Sequence, residues 1–412
     1  MRLSTIGPFV SPLRLSSSLD PKSKHYPALL QALPPESAHF TAPNRQRTSD
    51  LPGFSDLERD DFDLRLFVWS PQAKEGEPQL RFHIYGNGVG VVETHLDCAD
   101  NFNADTLETF AQETTCRAID AHGPNLHALL AQIESEISAD LVATPISDDD
   151  TSIPLSRQAI WISRAVRITP AQREDERYRS LIRDWLKNTG RPDDAEDILS
   201  GKEERAISWM NYVLVDSEEK DAPNPLSAVR IAQFFFASQN LLNDAVHALL
   251  RDGEFERETR SFKAQLIHAR TDMQMLRILF DVQLGYLSRQ KRRDLDYLMT
   301  MWDFETLTRN GARILDACTQ RITEITNARV ERGAFYTDMI LAFIALVSII
   351  EVTLYLTEYS REVMSRPTLA YQDSKLSWFL SWFASIDMDR GLLSGAVLFF
   401  LMAGLYVFWK RR

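Results

Sequence analysis

Two apolar runs near the end of the chain, Met339–Thr357 and Gly391–Trp409, constrain it more than any other feature. Each holds about 19 residues, enough to cross a hydrocarbon core ~30 Å thick as a helix rising ~1.5 Å per residue. Neither contains proline, and the second carries no charge before Lys410. The first has one acid, Glu351, deep in its interior. Such a pair predicts a multi-pass membrane protein with a large extramembrane part.

The 412 residues leave room for two soluble units beside the membrane part. A formal net charge of −12 argues against nucleic acid as the main partner, because phosphate binding needs a basic face. An acidic surface is compatible with a divalent cation, though most acidic surfaces are merely solvated. No other cofactor is indicated. Three cysteines, Cys98, Cys116 and Cys318, without a C-x-x-C spacing read as free thiols in a reducing compartment. The N-terminus lacks a signal-peptide core; with Arg2 and Arg14 in a Ser-rich start it allows a transit peptide as the lesser reading. The expected location is the inner (plasma) membrane, ahead of the mitochondrial inner membrane.

Four regions follow: a proline-rich, poorly structured leader over 1–60, a cytosolic α/β domain over 61–220, a long-helix bundle and stalk over 221–335, and a transmembrane hairpin over 336–412. Leu64–Trp69, Leu80–Tyr85 and Val89–Glu93 alternate as strands, and Gly86-Asn87-Gly88 supplies their turn. Asn103–Asp120 and Asn125–Ser138 read as two helices broken at His122-Gly123-Pro124. Ile160–Ile168 and Trp209–Val215 read as strands enclosing helices at Glu174–Lys187 and Asp194–Ser200. After Pro225 no proline occurs until Pro367, and three long helices fit. The third is expected to run from Asp294 straight into the membrane.

That third helix has a seam at alternating steps of four and three: Tyr297, Met301, Phe304, Thr308, Gly311, Leu315, Cys318, Ile322, Ile325 and Arg329. The period is that of a coiled coil or bundle. It serves either packing against the chain's own preceding helices or a stalk around the axis of a homo-oligomer.

Glu351 is the leading site residue. A carboxylate at bilayer depth normally faces protein, water or a partner, and Ser348 at i−3 shares its face. A pore-lining pair and a protonated structural acid are the two readings. The connecting segment carries Trp378, Phe379, Trp382 and Phe383, which together with Trp409, Lys410, Arg411 and Arg412 read as membrane-interface residues. Arg321, Arg329 and Arg332 before the first span, with the Lys410–Arg412 tail, outweigh the scattered Arg361, Arg366, Lys375 and Arg390 between the spans. Both termini are therefore expected in the cytoplasm.

Other motifs weaken on inspection. Gly86-x-Gly88-x-Gly90 precedes a strand rather than the helix a phosphate loop needs. His95-x-Asp97-Cys98 has metal-type side chains that cannot all converge from one strand end. Arg289-Gln-Lys-Arg-Arg293 lies ~70 Å of helix from the membrane and suits a solvated turn or an acidic partner better than lipid. No triad, Walker or paired zinc-ligand motif points to an enzyme.

The order of parts, with Phe82-His-Ile-Tyr-Gly-Asn-Gly-Val-Gly-Val-Val-Glu93 as an early strand-turn-strand and Phe408-Trp-Lys-Arg-Arg412 as a basic tail, resembles the CorA-like family of divalent-cation transport proteins. The resemblance implies a homopentamer whose first spans line a pore, with Glu351 and Ser348 as rings. The chain departs from the family where its Gly-Met-Asn signature would stand, reading Leu356-Thr-Glu-Tyr-Ser360. The expected function is thus an oligomeric cation channel or transporter gated by its cytosolic domain. The alternative is a membrane-anchored sensor or effector of stress or defence type, answering a cytosolic protein or small-molecule regulator, whose hairpin is an anchor or inducible pore.

Overall fold

The computed structural model describes residues 1–15, 40–41, 65–71, 78–98, 102–136, 142–144, 159–207, 210–216, 225–252 and 259–365, with scattered positions after 377. The chain divides into two compact units, Met1–Thr319 and Gln320–Arg412.

A nine-stranded mixed sheet organises the first unit. Its strands are β1 (Arg2–Leu15), β2 (Phe40–Thr41), β3 (Arg65–Trp69), β4 (Gln79–Tyr85), β5 (Asn87–Asp97), β6 (Val142–Thr144), β7 (Ser163–Ile168), β8 (Arg205–Ala206) and β9 (Asn211–Val215). They lie in the order β2-β3-β4-β5-β1-β7-β9-β8, with β6 beside β1. Among the described residues only β7 and β9 pair in parallel, joined by a helical crossover as parallel strands require.

The leader expected over 1–60 is corrected at its start, because Arg2–Leu15 is a central strand. It pairs with β5 on one side and, through Arg2–Ile6, with β7 on the other. The prolines are compatible with this strand, and Pro8 shows why. Its carbonyl accepts from Ile160 N at 2.7 Å, so its missing N–H points to the side where the β7 ladder has already ended. Proline is tolerated where no ladder bond is lost.

Helices cover both faces of the sheet. On one face α1 (Ala104–Glu136) packs Ile119, Leu126 and Leu130 against Phe9, Phe82 and Val92. Beyond it, after the short α2 (Pro170–Glu174), α3 (Glu176–Lys187) and α4 (Pro192–Leu199) pack Ile182, Trp185 and Ile198 on Leu3, Val166 and Val213. Thr169 caps α2 in a reciprocal box with Gln172, and Asp175 caps α3. The break expected at Pro124 does not occur, and α1 runs through it. The buried stripe continues in phase on both sides of the proline, so packing outweighs the lost hydrogen bond.

On the other face α5 (Leu226–Asp252) lays Val229, Ala232 and Phe235 over Ile6, Val91 and Tyr212. Tyr85 stacks on Phe234 with centroids 4.0 Å apart. Outside it lie α6 (Thr259–Tyr286) and α7 (Arg289–Met301), which with Leu287 in the turn between them contribute Leu276, Leu295 and Leu298 to the same core. The helices read as a separate bundle thus form the third layer of a sandwich. The α/β class of the first unit stands as expected.

The third long helix is also corrected. It is two helices, α7 and α8 (Phe304–Ser365), separated at Trp302-Asp303. Asp303 takes φ 52, a left-handed conformation that Asp adopts more readily than most residues and that no helix continues through.

Candidate functional site

A buried polar cluster surrounds Glu93, which sits on β5 in the layer between sheet and α5. His83 Nε2 lies 3.2 Å from Glu93 Oε2 and His95 Nε2 lies 3.0 Å from Oε1. Arg230, one turn into α5, donates to Oε2 at 3.1 Å. His83 Nδ1 meets Arg65 at 3.2 Å, and His95 Nδ1 meets the Ser4 hydroxyl at 2.8 Å. One tautomer satisfies all of these contacts: each imidazole donates from Nε2 to the carboxylate and accepts at Nδ1.

The sheet register explains the gathering. Glu93 and His95 lie two apart on β5, so they share a face. His83 reaches that face from across the β4–β5 ladder, where it stands opposite Val91. Ser4 stands opposite His95 on β1. Burial pushes the His83 pKa down to about 3, with the Arg230 and Arg65 charges adding to the effect and Glu93 opposing it. Burial alone would raise the Glu93 carboxyl, but the His83 and His95 hydrogen bonds and the Arg230 charge hold it well below the ordinary carboxylate range.

Ser4, His95 and Glu93 have the hydroxyl–imidazole–carboxylate connectivity of a proton relay. Ser4 is 0 % exposed, however, so its hydroxyl does not face a substrate. The geometry suits a tie between strands and helix. Glu93 joins β4, β5 and α5; Asn87 Nδ2 donates to Ser238 on α5 at 2.8 Å; and Gln233 Nε2 donates to Ile6 O at 2.9 Å. Further along α5, Asn243 Nδ2 donates to Leu307 O on α8 at 3.0 Å. The sheet, α5 and the root of α8 are therefore held in one register.

Sequence reading placed His95 in a metal-type motif with Asp97 and Cys98. The structure separates these three. Asp97 pairs with Arg2 at 3.2 Å, and Cys98 is a free thiol whose pKa burial raises to about 11. No group of three or more His, Cys, Asp and Glu fit to hold a metal exists among the described residues. Glu93 and His83 escaped notice, although a Glu-x-His on one strand facing a His across a tight turn was the readable signal.

The membrane-type residues lie on α8. It is the one described helix long and apolar enough to cross a membrane, and none of its apolar window is buried. Glu351 and Ser348 are both exposed on it, and Glu351 makes no hydrogen bond or ion pair among the described residues. The expected seam divides. Leu315, Cys318 and Ile322 are buried and Ile325 is half-buried, whereas Tyr297 and Met301 are exposed on α7 and Phe304 opens α8. The break at Asp303 takes the first two out of phase with the rest. At Gly311 the helix comes so close to α5 that a β-carbon would fall 2.1 Å from Asn243 Oδ1.

Of the expected interface residues, Trp378 and Trp382 are helical and exposed. Phe379, Phe383, Trp409, Lys410, Arg411 and Arg412 lie outside the described residues, as does most of Gly391–Trp409. The described positions of that run are helical, and Leu393, Val397 and Phe400 among them are exposed.

No family model, curated protein or solved structure matches the chain.

Proposed function

We propose that the chain is a homo-oligomeric membrane protein in which α8 helices associate in the bilayer as a cation-conducting element governed by the α/β unit, as in the CorA-like layout. The observation that carries the reading is the exposed apolar window of α8 with Glu351 inside it. A helix apolar on all sides belongs in lipid or against its own copies. An unpaired acid within it needs company, and a ring of acids favours cations electrostatically. The ties from Glu93 through α5 to Leu307 support a route by which the state of the sheet reaches the root of that helix. In this reading the second apolar run completes the membrane hairpin.

The test is reconstitution of the full chain in liposomes with cation flux measured for the parent and for Glu351→Gln. The reading expects flux that falls at least tenfold in the variant. Equal flux in both removes Glu351 from the path, and no flux from an oligomeric chain, alone or with divalent cations, leaves an anchor rather than a channel.

A further inference from the structure

We propose that copies of this chain meet head to tail through their Met1–Thr319 units, the basic α6–α7 layer of one copy against the acidic α1–α4 layer of the next. The proposal rests on the self-association reading above and gives it a surface. The two layers cover opposite faces of one sheet. Their formal charges differ in sign: over 104–136 and 170–204 sixteen acids stand against eight bases, while over 259–301 eight bases stand against four acids.

The basic layer carries the features of an uncovered contact. On α6, Ile267, Ile278, Val282 and Tyr286 are 38 to 56 % exposed, and at helical spacing they fall on one face. Lys263, Arg270 and Arg277 flank that stripe, exposed and in no ion pair among the described residues, with Asp281 beside them. In the acidic layer Asp184, Asp193, Glu203 and Glu204 are likewise exposed and in no ion pair among the described residues; Arg177 and Lys187 are its counterpart cations.

The sign pattern selects the geometry. A two-fold contact would set α6 against α6 and bring the cations of the two copies together. A heterologous contact sets cations against acids and closes into a ring when the rotation allows. The aliphatic stems of Arg and Glu can cover the isoleucines while their charged ends pair.

The test cross-links full-length chain in detergent, an equal mixture of ¹⁴N- and ¹⁵N-labelled copies, with a zero-length amine–carboxylate reagent. Mixed-isotope links between Lys263 and acids of 170–204 are expected. They should fall at least tenfold in Arg270→Glu/Arg277→Glu and at molar salt, where screening shortens to ~3 Å. They should return when Asp184→Arg/Asp193→Arg is added to the same chain, a rescue that misfolding cannot give. An oligomeric chain with no such links, or one whose lost links the added reversals fail to restore, overturns the proposal. Cross-links joining α6 to α6 favour the two-fold contact instead and also overturn it. A chain whose mass in detergent is that of one copy overturns the self-association reading itself.

Discussion

The ring of Phe9 lies on Gly90, its partner across the β1–β5 ladder, so closely that a β-carbon there would fall 2.2 Å from the ring's Cζ. Glycine at this position is a packing requirement. Gly90→Ala should cost about 1–3 kcal/mol through overpacking, and Phe9→Ala about 3–5 kcal/mol through loss of a fully buried ring. Denaturant unfolding of the two variants checks both, and an unchanged midpoint for Gly90→Ala would contradict the close approach.

Removing Glu93 should be more damaging than its single ion pair suggests. Glu93→Ala leaves His83, His95 and Arg230 without their shared acceptor, and loss of one partner from a buried charged network costs ~3–5 kcal/mol. Glu93→Gln should lose less, since its carbonyl still accepts. The difference between their unfolding midpoints is the readout.

Acid should weaken the same unit in a defined window. The folded His83 pKa, about 3, lies below the ordinary histidine value, so below pH ~6.5 the unfolded chain takes up protons that the folded chain does not. The stability held above pH ~6.5 is lost progressively as pH falls toward 3, and the depressed Glu93 carboxyl adds a loss in the same direction below its ordinary value. His83→Gln should flatten the fall between pH 6.5 and 5. A slope identical to the parent's would sink the assignment.

Gly311→Ala should destabilise the contact between α5 and the root of α8 by about 1–3 kcal/mol. The clash is with Asn243 Oδ1, so Asn243→Ala should cost less in the Gly311→Ala background than in the parent. A double-mutant cycle measures that coupling, and strictly additive losses would mean the two residues do not press on each other.

A charge in the apolar window of α8 should loosen the chain from membranes. Ile344 is exposed in that window, and Ile344→Lys removes ~3 kcal/mol of insertion free energy. Retention in the membrane pellet after alkaline extraction should drop in the variant relative to Ile344→Leu.

The periodic elements were the legible ones. β4, β5, β7, β9, α3 and α4 could be read from alternation, helical spacing and caps, and α8 from its apolar run. β1 was hidden by prolines whose harmlessness depends on where β7 stops, which is information from residues far along the chain. The break at Asp303 was hidden because a single left-handed residue leaves no mark on a hydrophobic period. The Glu93 cluster was hidden for a third reason: its members come from four strands and a helix, and only the sheet register brings them together.

The central position of β1 sets an order of events during synthesis. Arg2–Ile6 are made well before either neighbour, for their partner on one side is the 93–97 stretch and on the other Ser163–Arg167. At ~5–20 residues per second, the strand waits on the order of ten seconds or more with an open hydrogen-bonding edge before its second neighbour exists. Such a long-range closure makes for slow folding. The interval is one in which a chaperone, or a neighbouring nascent copy, has the first opportunity to pair with it.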